Sequence, residues 1–350
     1  MPIAKQTKKK LRARIGPRSR NSGHLETLVI GVDIGGTKVA AGIVDCATGE
    51  IRQQTRTPMP VTGSAEHGLA AVKATIEQLL RGAKPESRKI RAIGLCAPGP
   101  LDPRAGVIIN PPNVPCWRNY RLAERISKSF QLPVQLDNDA NAAALAETIW
   151  GAGHGFQNVF YATIGTGIGT GIVLDGKILH GRTGAAGEGG HVSIDFRGVK
   201  CACGKRGCIE ALAAGPAIAR AAKAQLEKRP RDSSILLALC NGKPGEVTCE
   251  MVGQAFAKGD RLAREVLDQT IEYLAHWLGN IIDLLEPEII VIGGGVSAML
   301  KPLLKRISER LPGCCENQRA CEIPIVPAHF GENAGIAGAA ALCRNFVTKQ

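Results

Sequence analysis

A strand–glycine-turn–strand pattern occurs twice in this chain and constrains its fold more than any other feature. Residues 28–44 (LVIGVDIGGTKVAAGIV) contain two apolar runs around Gly35 and Gly36, and residues 159–174 (VFYATIGTGIGTGIVL) repeat the arrangement around GTGIGTG. Apolar runs of this length on either side of a glycine turn predict β-hairpins. The repetition predicts two related lobes, each of which opens with a hairpin whose turn faces a phosphate.

Helices and strands alternate after each hairpin. Apolar residues spaced near 3.6 predict a helix at 66–81. Alanine-rich composition predicts helices at 140–150 and 334–347. Further helical segments are expected at 119–130, 215–228 and 296–310, and two helices within 251–286. Short apolar runs predict strands at 51–56, 90–95, 133–136, 288–292 and 323–326. This order predicts an α/β protein of two lobes with a cleft between them. The expected parts are a basic tail at 1–24, a first lobe at 25–138 plus 335–350, and a second lobe at 139–334.

Length and charge narrow the class of protein. A chain of 350 residues is too long for one ordinary core. The formal charge is +13, and residues 1–20 contribute +8 of it through eight Lys and Arg without an acid. We interpret this tail as a solvated extension, with binding to nucleic acid as the alternative. No apolar run predicts a membrane span or a signal peptide, whereas the basic composition of the tail is also compatible with an organellar transit peptide. Cysteines without a disulfide pattern favour a reducing, cytoplasmic compartment.

Three glycine-rich turns are candidates for nucleotide contacts, although each alone is also compatible with an ordinary tight turn. Backbone N–H groups in DIGGTK (33–38) can approach a polyanion, and Asp33 can hold Mg²⁺ through water. GTGIGTG (165–171) does not fit a dinucleotide-binding pattern, and its hairpin context predicts a second phosphate clamp. The turn after residue 292 allows adenine to lie against backbone. The candidates are Asp33, Gly35, Gly36, Thr37, Lys38, Gly165, Thr166, Gly167, Gly293, Gly294 and Gly295.

A carboxylate is expected where a strand ends and a helix begins, in LDNDAN at 136–141. Phosphoryl transfer requires positioning, charge neutralisation and a group that accepts the proton of the attacking hydroxyl. Asp139 is the candidate for that base, and Asn138 can orient a neighbouring sugar hydroxyl. The alternative is that Asp137 or Asp139 only caps the helix.

One histidine and three cysteines predict a metal site. His191, Cys201, Cys203 and Cys208 lie within 18 residues, which matches a four-coordinate structural zinc site of the Cys₃His type. All four positions are filled by protein, so the metal has no open position for catalysis. Zinc would also hold Glu188, His191 and Glu210 as fixed acceptors for sugar hydroxyls. A zinc ribbon that binds nucleic acid is less compatible, because such ribbons use two separated cysteine pairs.

Together these motifs resemble the ROK family of sugar kinases and repressors over residues 27–345. The matching segments are DIGGTK (33–38), NDANAAALAE (138–147), GTGIGTG (165–171), GEGGH (187–191), CACGKRGCIE (201–210), IGGGV (292–296) and GENAGIAGAA (331–340). The resemblance implies an actin-like, hexokinase-type (ribonuclease H-like) fold of two lobes. It also implies ATP with Mg²⁺ as donor, the 6-hydroxyl of a hexose as acceptor, and a homodimer or homotetramer.

The resemblance further implies roles for single residues. Asp139 becomes the catalytic base. The implied sugar contacts are Asn113, Asn138, Asp139, Glu188, His191 and Glu210, with His191 serving zinc and sugar together. Gly189 replaces the aliphatic residue of many relatives, and we expect it to loosen the sugar site slightly.

The resulting hypothesis is a hexose kinase, a phosphotransferase with an alcohol acceptor. Glucose is ranked before N-acetylmannosamine, N-acetylglucosamine and fructose, and the sequence does not decide among them. A sugar-responsive transcriptional regulator and a nucleic-acid-binding zinc protein are the alternatives. The regulator is disfavoured because only about 25 residues precede the first strand, and they show no helical pair. Use of polyphosphate or ADP instead of ATP stays open.

Overall fold

The computed structural model describes residues 27–60, 63–83, 89–111, 113–229 and 234–347. The predicted basic tail at 1–24 lies outside these residues. The described chain forms two compact units. The first contains the residues up to Asn158, Gly171–Gly187 and the residues from His329 onward, and the second contains Val159–Thr170 and Glu188–Ala328.

The first unit contains a five-stranded sheet of order β3-β2-β1-β4-β7. Its strands are β1 (Leu28–Ile34), β2 (Lys38–Asp45), β3 (Ile51–Pro58), β4 (Ile90–Ala97) and β7 (Val134–Asn138). The first three strands form an antiparallel meander, which contains the predicted hairpin and the strand predicted at 51–56. Strands β4 and β7 add to it in parallel with β1, so β1, β4 and β7 end at the same edge. The short pair β5 (Leu101–Asp102) and β6 (Val107–Ile108) was not predicted.

Helices cover this sheet. Those of the first unit are α1 (Ala65–Gly82), α2 (Leu122–Phe130), α3 (Asp139–Ile149), α11 (Ala334–Ala341) and α12 (Arg344–Val347). Helix α1 buries Leu69, Val72, Ile76 and Leu79, the three- and four-residue spacing that predicted it. Helix α11 consists of Ala and Gly apart from Ile336, and it packs so closely on the sheet that a Cβ atom at Gly94 would meet the Ala339 carbonyl oxygen. Sequence-distant segments therefore share one core.

A second sheet has the order β10-β9-β8-β11-β12. Its strands are β8 (Val159–Ile164), β9 (Ile168–Leu174), β10 (Lys177–Ile178), β11 (Ile289–Gly293) and β12 (Ile325–Pro327). Strand β11 is parallel to both β8 and β12. Strand β9 begins at Ile168, so only Gly165–Gly167 of the predicted glycine loop form the turn.

The helices of the second unit are α4 (Ile209–Ala213), α5 (Gly215–Lys228), α6 (Ile235–Leu239), α7 (Cys249–Ala257), α8 (Arg261–Leu285), α9 (Ser297–Leu300) and α10 (Leu304–Arg310). The two helices expected within 251–286 are present as α7 and α8. The segment 296–310 is helical as predicted, but a 3₁₀ turn at Lys301–Leu303 divides it into α9 and α10. Pro302 lacks the N–H that a continuous helix would require there.

The compact units do not divide at the lobe boundary expected after residue 138. Helix α3 and the residues up to Asn158 belong to the first unit. The lobe boundary itself stays a prediction. No helix in the described part of the chain is long and apolar enough to cross a membrane.

Candidate active site

Asp33, Cys96 and Asp137 form a row across the first sheet. Asp33 is paired with Cys96 on β4, and Cys96 is paired with Asp137 on β7. All three are near the carboxyl ends of parallel strands, where ligands bind in open α/β sheets. The row places the carboxylate of the first glycine turn near the segment that carries Asn138 and Asp139. Sequence reasoning did not find Cys96, since strand register decides which residue stands between the two aspartates.

The β7–α3 turn presents Asp139 to solvent. Asn138 is the helix cap, because its Oδ1 atom accepts hydrogen bonds from Ala140 N at 2.9 Å and Asn141 N at 3.3 Å. Asp139 is the first residue of α3, and its side chain is exposed. Neither Asp137 nor Asp139 is therefore the cap. Since Oδ1 of Asn138 is used in capping, its amide Nδ2 is the group available to donate to a ligand.

Asp33 is held in a low-dielectric environment. Burial raises the pKa of its carboxyl group, and a hydrogen bond from Cys96 and the charges of Lys38 and Arg56 oppose the rise. The Cys96 Sγ atom lies 3.7 Å from Asp33 Oδ1 and 3.3 Å from the Gly335 carbonyl oxygen. Burial, followed by the charges of Asp33 and Asp139, holds the pKa of Cys96 well above its ordinary value. The thiol therefore keeps its proton at neutral pH and serves as a donor.

The first glycine turn lies against Asn113. Gly35 N donates to the Lys38 carbonyl oxygen at 2.9 Å and closes the turn between β1 and β2. A Cβ atom at Gly36 would lie 2.5 Å from the Asn113 carbonyl oxygen, so only glycine permits this approach. Thr37 and Lys38 are exposed. The structure therefore brings the expected sugar contact Asn113 next to an expected phosphate turn.

The other two glycine turns meet in the second unit. Gly165 N donates to the Gly167 carbonyl oxygen at 2.9 Å, and Val296 N donates to the Ile164 carbonyl oxygen at 2.9 Å. Gly294 has a φ of +88°, and a Cβ atom there would lie 2.4 Å from the Ile164 carbonyl oxygen. The residues around Gly165–Gly167 and Gly293–Gly295 thus form one backbone-lined surface. Thr166 and Gly295 are exposed on it.

The four expected metal ligands converge. One ligand atom each of His191, Cys201, Cys203 and Cys208 lies within 4.8 Å of the others. Cys203 Sγ is 3.6 Å from Cys208 Sγ, and Cys201 Sγ is 3.7 Å from His191 Nδ1. Zinc–sulfur bonds of about 2.3 Å in a tetrahedron place two sulfurs about 3.8 Å apart. The donor set and spacing therefore fit a tetrahedral zinc ion.

The thiols of this cluster differ in their surroundings. A hydrogen bond from the Lys205 backbone is the main cause that lowers the pKa of Cys203. Burial raises the pKa of Cys208 to about 12. Bonds to a cation would favour the thiolate form of all three cysteines.

Glu210 joins the metal cluster to the second glycine turn. Its Oε2 atom accepts a hydrogen bond from Ile168 N at 2.9 Å, and its Oε1 atom lies 3.9 Å from His191 Nδ1. A Cβ atom at Gly167 would lie 2.5 Å from Glu210 Oε2. Glu210 is therefore well placed to orient these two segments, while Glu188 is exposed at the start of the Gly189–His191 turn.

The turn at Gly189 is held on two sides. Thr170 Oγ1 accepts a hydrogen bond from Gly189 N at 2.8 Å, and Trp277 Nε1 donates to the Gly189 carbonyl oxygen at 3.0 Å. A Cβ atom at Gly189 would lie 2.6 Å from Thr170 Oγ1. Thr170 therefore occupies the space next to the glycine, and the expected loosening of the sugar site stays a prediction. Sequence reasoning missed Thr170 and Trp277 because their spacing along the chain carries no signal.

The chain is similar to known proteins over most of its length. The ROK family model matches residues 29–345. A glucokinase of Streptomyces coelicolor is 35% identical over 321 residues, which cover 91% of this chain and 98% of that protein. The structure of a ROK family glucokinase from Streptomyces griseus in complex with glucose and AMPPNP has a TM-score of 0.76 and 33% identity, and the match covers 91% of this chain and 99% of that one.

A ROK family transcriptional regulator, a homologue of the E. coli MLC protein, has a TM-score of 0.82 and 28% identity. That match covers 94% of this chain and 82% of the regulator. These neighbours confirm the α/β, actin-like hexokinase-type fold expected from the sequence. By the extent of the match, the chain belongs to the ROK family.

Proposed function

We propose that this chain is an ATP-dependent hexose kinase with glucose as its acceptor. The observation that carries the proposal is the edge of the first sheet, where exposed Asp139 is the first residue of α3 and Asp33 is in register, through Cys96, with Asp137. An exposed carboxylate can reach a substrate hydroxyl, and the half-buried carboxylate of Asp33 close to a glycine turn suits Mg²⁺ and phosphate. The similarity to glucokinases supports glucose among the hexoses.

In the proposed reaction, the sugar 6-hydroxyl oxygen attacks the γ-phosphorus of ATP. A bond forms between that oxygen and phosphorus, the bond to the β-phosphate oxygen breaks, and ADP leaves. Asp139 accepts the proton of the hydroxyl. The turns at Gly35–Lys38 and Gly165–Gly167 would offer backbone N–H groups to the phosphates, and Gly293–Gly295 would offer a flat surface to adenine. Asp33 would hold Mg²⁺ through water, and the ion would neutralise phosphate charge.

The proposed sugar contacts are Asn113, Asn138, Asp139, Glu188, His191 and Glu210. Zinc held by His191, Cys201, Cys203 and Cys208 would be structural, since four protein ligands complete its tetrahedron. Its chemical contribution would be to fix the orientation of His191 and of the neighbouring Glu210. We further propose a cytoplasmic homodimer or homotetramer, which light scattering of the purified protein tests.

An ADP-release assay over a hexose panel tests the proposed function. Glucose, mannose, fructose, N-acetylglucosamine and N-acetylmannosamine are compared at equal concentration, with ATP, ADP or polyphosphate as donor. We expect glucose with ATP to show the highest kcat/KM. Absence of turnover with every hexose and donor would exclude a kinase, and a higher kcat/KM with another hexose would correct the acceptor.

A sugar-responsive regulator is the second candidate, and the structural similarity to the transcriptional regulator favours it. Filter binding to DNA separates the two, with the full chain and a chain lacking residues 1–24. The kinase proposal predicts weak binding that is insensitive to glucose. Tight binding that glucose releases would support the regulator, and tight binding lost with the tail would support a nucleic-acid-binding role of the basic segment.

A further inference from the structure

Asp137 is a buried carboxylate beside the proposed base. The residue is 3% exposed. Its Oδ1 atom accepts hydrogen bonds from Asn138 N at 2.7 Å and Asn141 Nδ2 at 3.1 Å. Its Oδ2 atom lies 2.6 Å from His180 Nε2. Because a carboxylate offers only acceptors, the imidazole is the donor in this contact.

His180 comes from a distant part of the chain, 43 residues after Asp137. It follows β10 and opens a loop that ends immediately before Gly187 and Glu188. The loop folds back on itself, since Ala186 N donates to the His180 carbonyl oxygen at 3.2 Å. The His180 contact therefore joins this loop to the β7–α3 turn.

A second tether holds the same loop. Arg104 Nη2 donates to the Gly181 carbonyl oxygen at 3.1 Å, and Arg104 Nη1 lies 3.4 Å from the Arg182 carbonyl oxygen. A Cβ atom at Gly184 would lie 2.6 Å from Pro103 Cδ, so the two loops are in close contact. The loop therefore has one fixed point at the β7–α3 turn and another at the segment after β5.

We propose that His180 is a positioning residue for hexose phosphorylation, acting through Asp137 on the turn that carries Asn138 and Asp139. The inference rests on the proposed kinase function and deepens it. Loss of the imidazole leaves a buried carboxylate oxygen short of a donor, and such oxygens are costly unless the backbone moves or water enters. A displacement of about 1 Å at a reacting group can lower a rate about 100-fold.

The proposal also concerns selectivity among hexoses. Epimers differ in the direction of one hydroxyl, so discrimination depends on how rigidly the hydrogen-bonding groups are held. A loop tied at His180 and Arg104 keeps residues 180–187 in one arrangement relative to Asn138. Releasing it should lower the preference for glucose over mannose as well as the rate.

The test compares His180→Leu with His180→Gln, whose amide nitrogen can replace the Nε2 donor. We expect His180→Leu to lower kcat/KM for glucose by about 10- to 100-fold and to reduce the glucose-to-mannose ratio. His180→Gln should stay within about 3-fold of wild type, and KM for ATP should change less than about 3-fold in both. Equal kcat/KM in the two variants, or wild-type kinetics in His180→Leu, would overturn the proposal.

Two further measurements distinguish loss of the positioning role from misfolding and from failure of the proposed function. Arg104→Met loosens the second tether without touching Asp137, and it should raise KM for glucose; an unchanged KM would overturn the role of the loop.

Glucose-induced shifts of the unfolding midpoint report binding without catalysis. If wild type phosphorylates no hexose, the kinase function fails, but a shift in wild type and His180→Gln that His180→Leu lacks would still support the positioning role. Equal shifts in all three would overturn it.

Discussion

Asp137 and Asp139 are separated by a single residue, and they have different roles because their surroundings differ. Asp137 is buried and accepts hydrogen bonds from Asn138, Asn141 and His180, which makes it a structural anchor. Asp139 is exposed at the first position of α3. A base must reach the proton it removes. The residue that the helix leaves exposed is therefore the better candidate for catalysis.

Asp139→Asn is expected to lower kcat for glucose phosphorylation by on the order of 10²- to 10⁴-fold, because the amide cannot accept the hydroxyl proton. The KM of ATP and the glucose-induced thermal shift should stay near wild type. Asp175→Asn makes the same chemical change in the tight turn before β10 and serves as the control. Near-wild-type turnover in Asp139→Asn would remove this residue from the proposed role.

Asp33→Asn is expected to raise the unfolding midpoint at neutral pH while lowering kcat at least about 10-fold. The folded-state pKa of Asp33 lies above its unfolded value because burial disfavours the charge. Ionisation of Asp33 therefore lowers the stability of the folded protein. The full loss is present at pH values above the folded-state pKa, and no loss is present at pH values below the unfolded-state pKa. Melting curves of both proteins from acid to neutral pH should converge at low pH. A lower midpoint of the variant at neutral pH would contradict this.

At the scale of elements, the metal segment depends on two glycines within its cysteine pattern. Gly204 and Gly207 have φ values of +94° and +61°, which side chains rarely adopt. A Cβ atom at Gly207 would also meet the Asp195 carbonyl oxygen. These turns bring Cys201 and Cys203 back to Cys208, and the Ser193–Cys208 bridge adds His191. The spacing of the motif thus encodes the geometry of the cluster.

Cys203→Ala is expected to lose bound zinc, measured by elemental analysis, and to raise KM for glucose by about 10-fold or more. The KM for glucose rises because His191 and Glu210 lose their fixed orientation. Cys321→Ala removes an exposed cysteine outside the cluster and should change neither quantity. A wild-type protein that contains no zinc would contradict the assignment.

At the scale of the whole chain, helix α11, near the end of the chain, completes the core of the first unit. Cβ atoms at Gly31 and Gly94 would collide with backbone of α11, and one at Gly338 would collide with α3. The helix lies behind the row of Asp33 and Cys96, whose thiol lies near the Gly335 carbonyl oxygen. Residues of α11 thereby support the edge of the sheet that carries the candidate site.

Gly94→Ala is expected to lower the free energy of unfolding by about 3 kcal/mol, the upper part of the range for overpacked cores. The reason is that the added methyl group would overlap the Ala339 carbonyl oxygen, which belongs to helix backbone. Gly313→Ala places a methyl group where no atom lies within 4 Å and should change stability by less than about 0.5 kcal/mol. Urea denaturation of both variants gives the comparison, and equal stabilities would contradict the close packing.

The local sequence pattern by itself determined much of the secondary structure of this protein and the composition of its metal cluster. Apolar runs predicted the first strands, 3.6-residue spacing predicted α1, and alanine content predicted α3, because each signal depends on neighbours a few residues away. The cysteine spacing predicted a cluster whose atoms do converge. Pro302 was the local signal that should have broken the helix predicted at 296–310.

Only the tertiary structure decided which distant residues contact one another around the candidate site. Strand register placed Cys96 between Asp33 and Asp137, and loop folding placed His180 on Asp137 and Thr170 on Gly189. These partners are separated by 19 to 63 residues, so no periodicity relates them. The sequence indicates which residues carry chemistry, but packing selects the buried neighbours that hold them, because those contacts form only when distant segments are brought together.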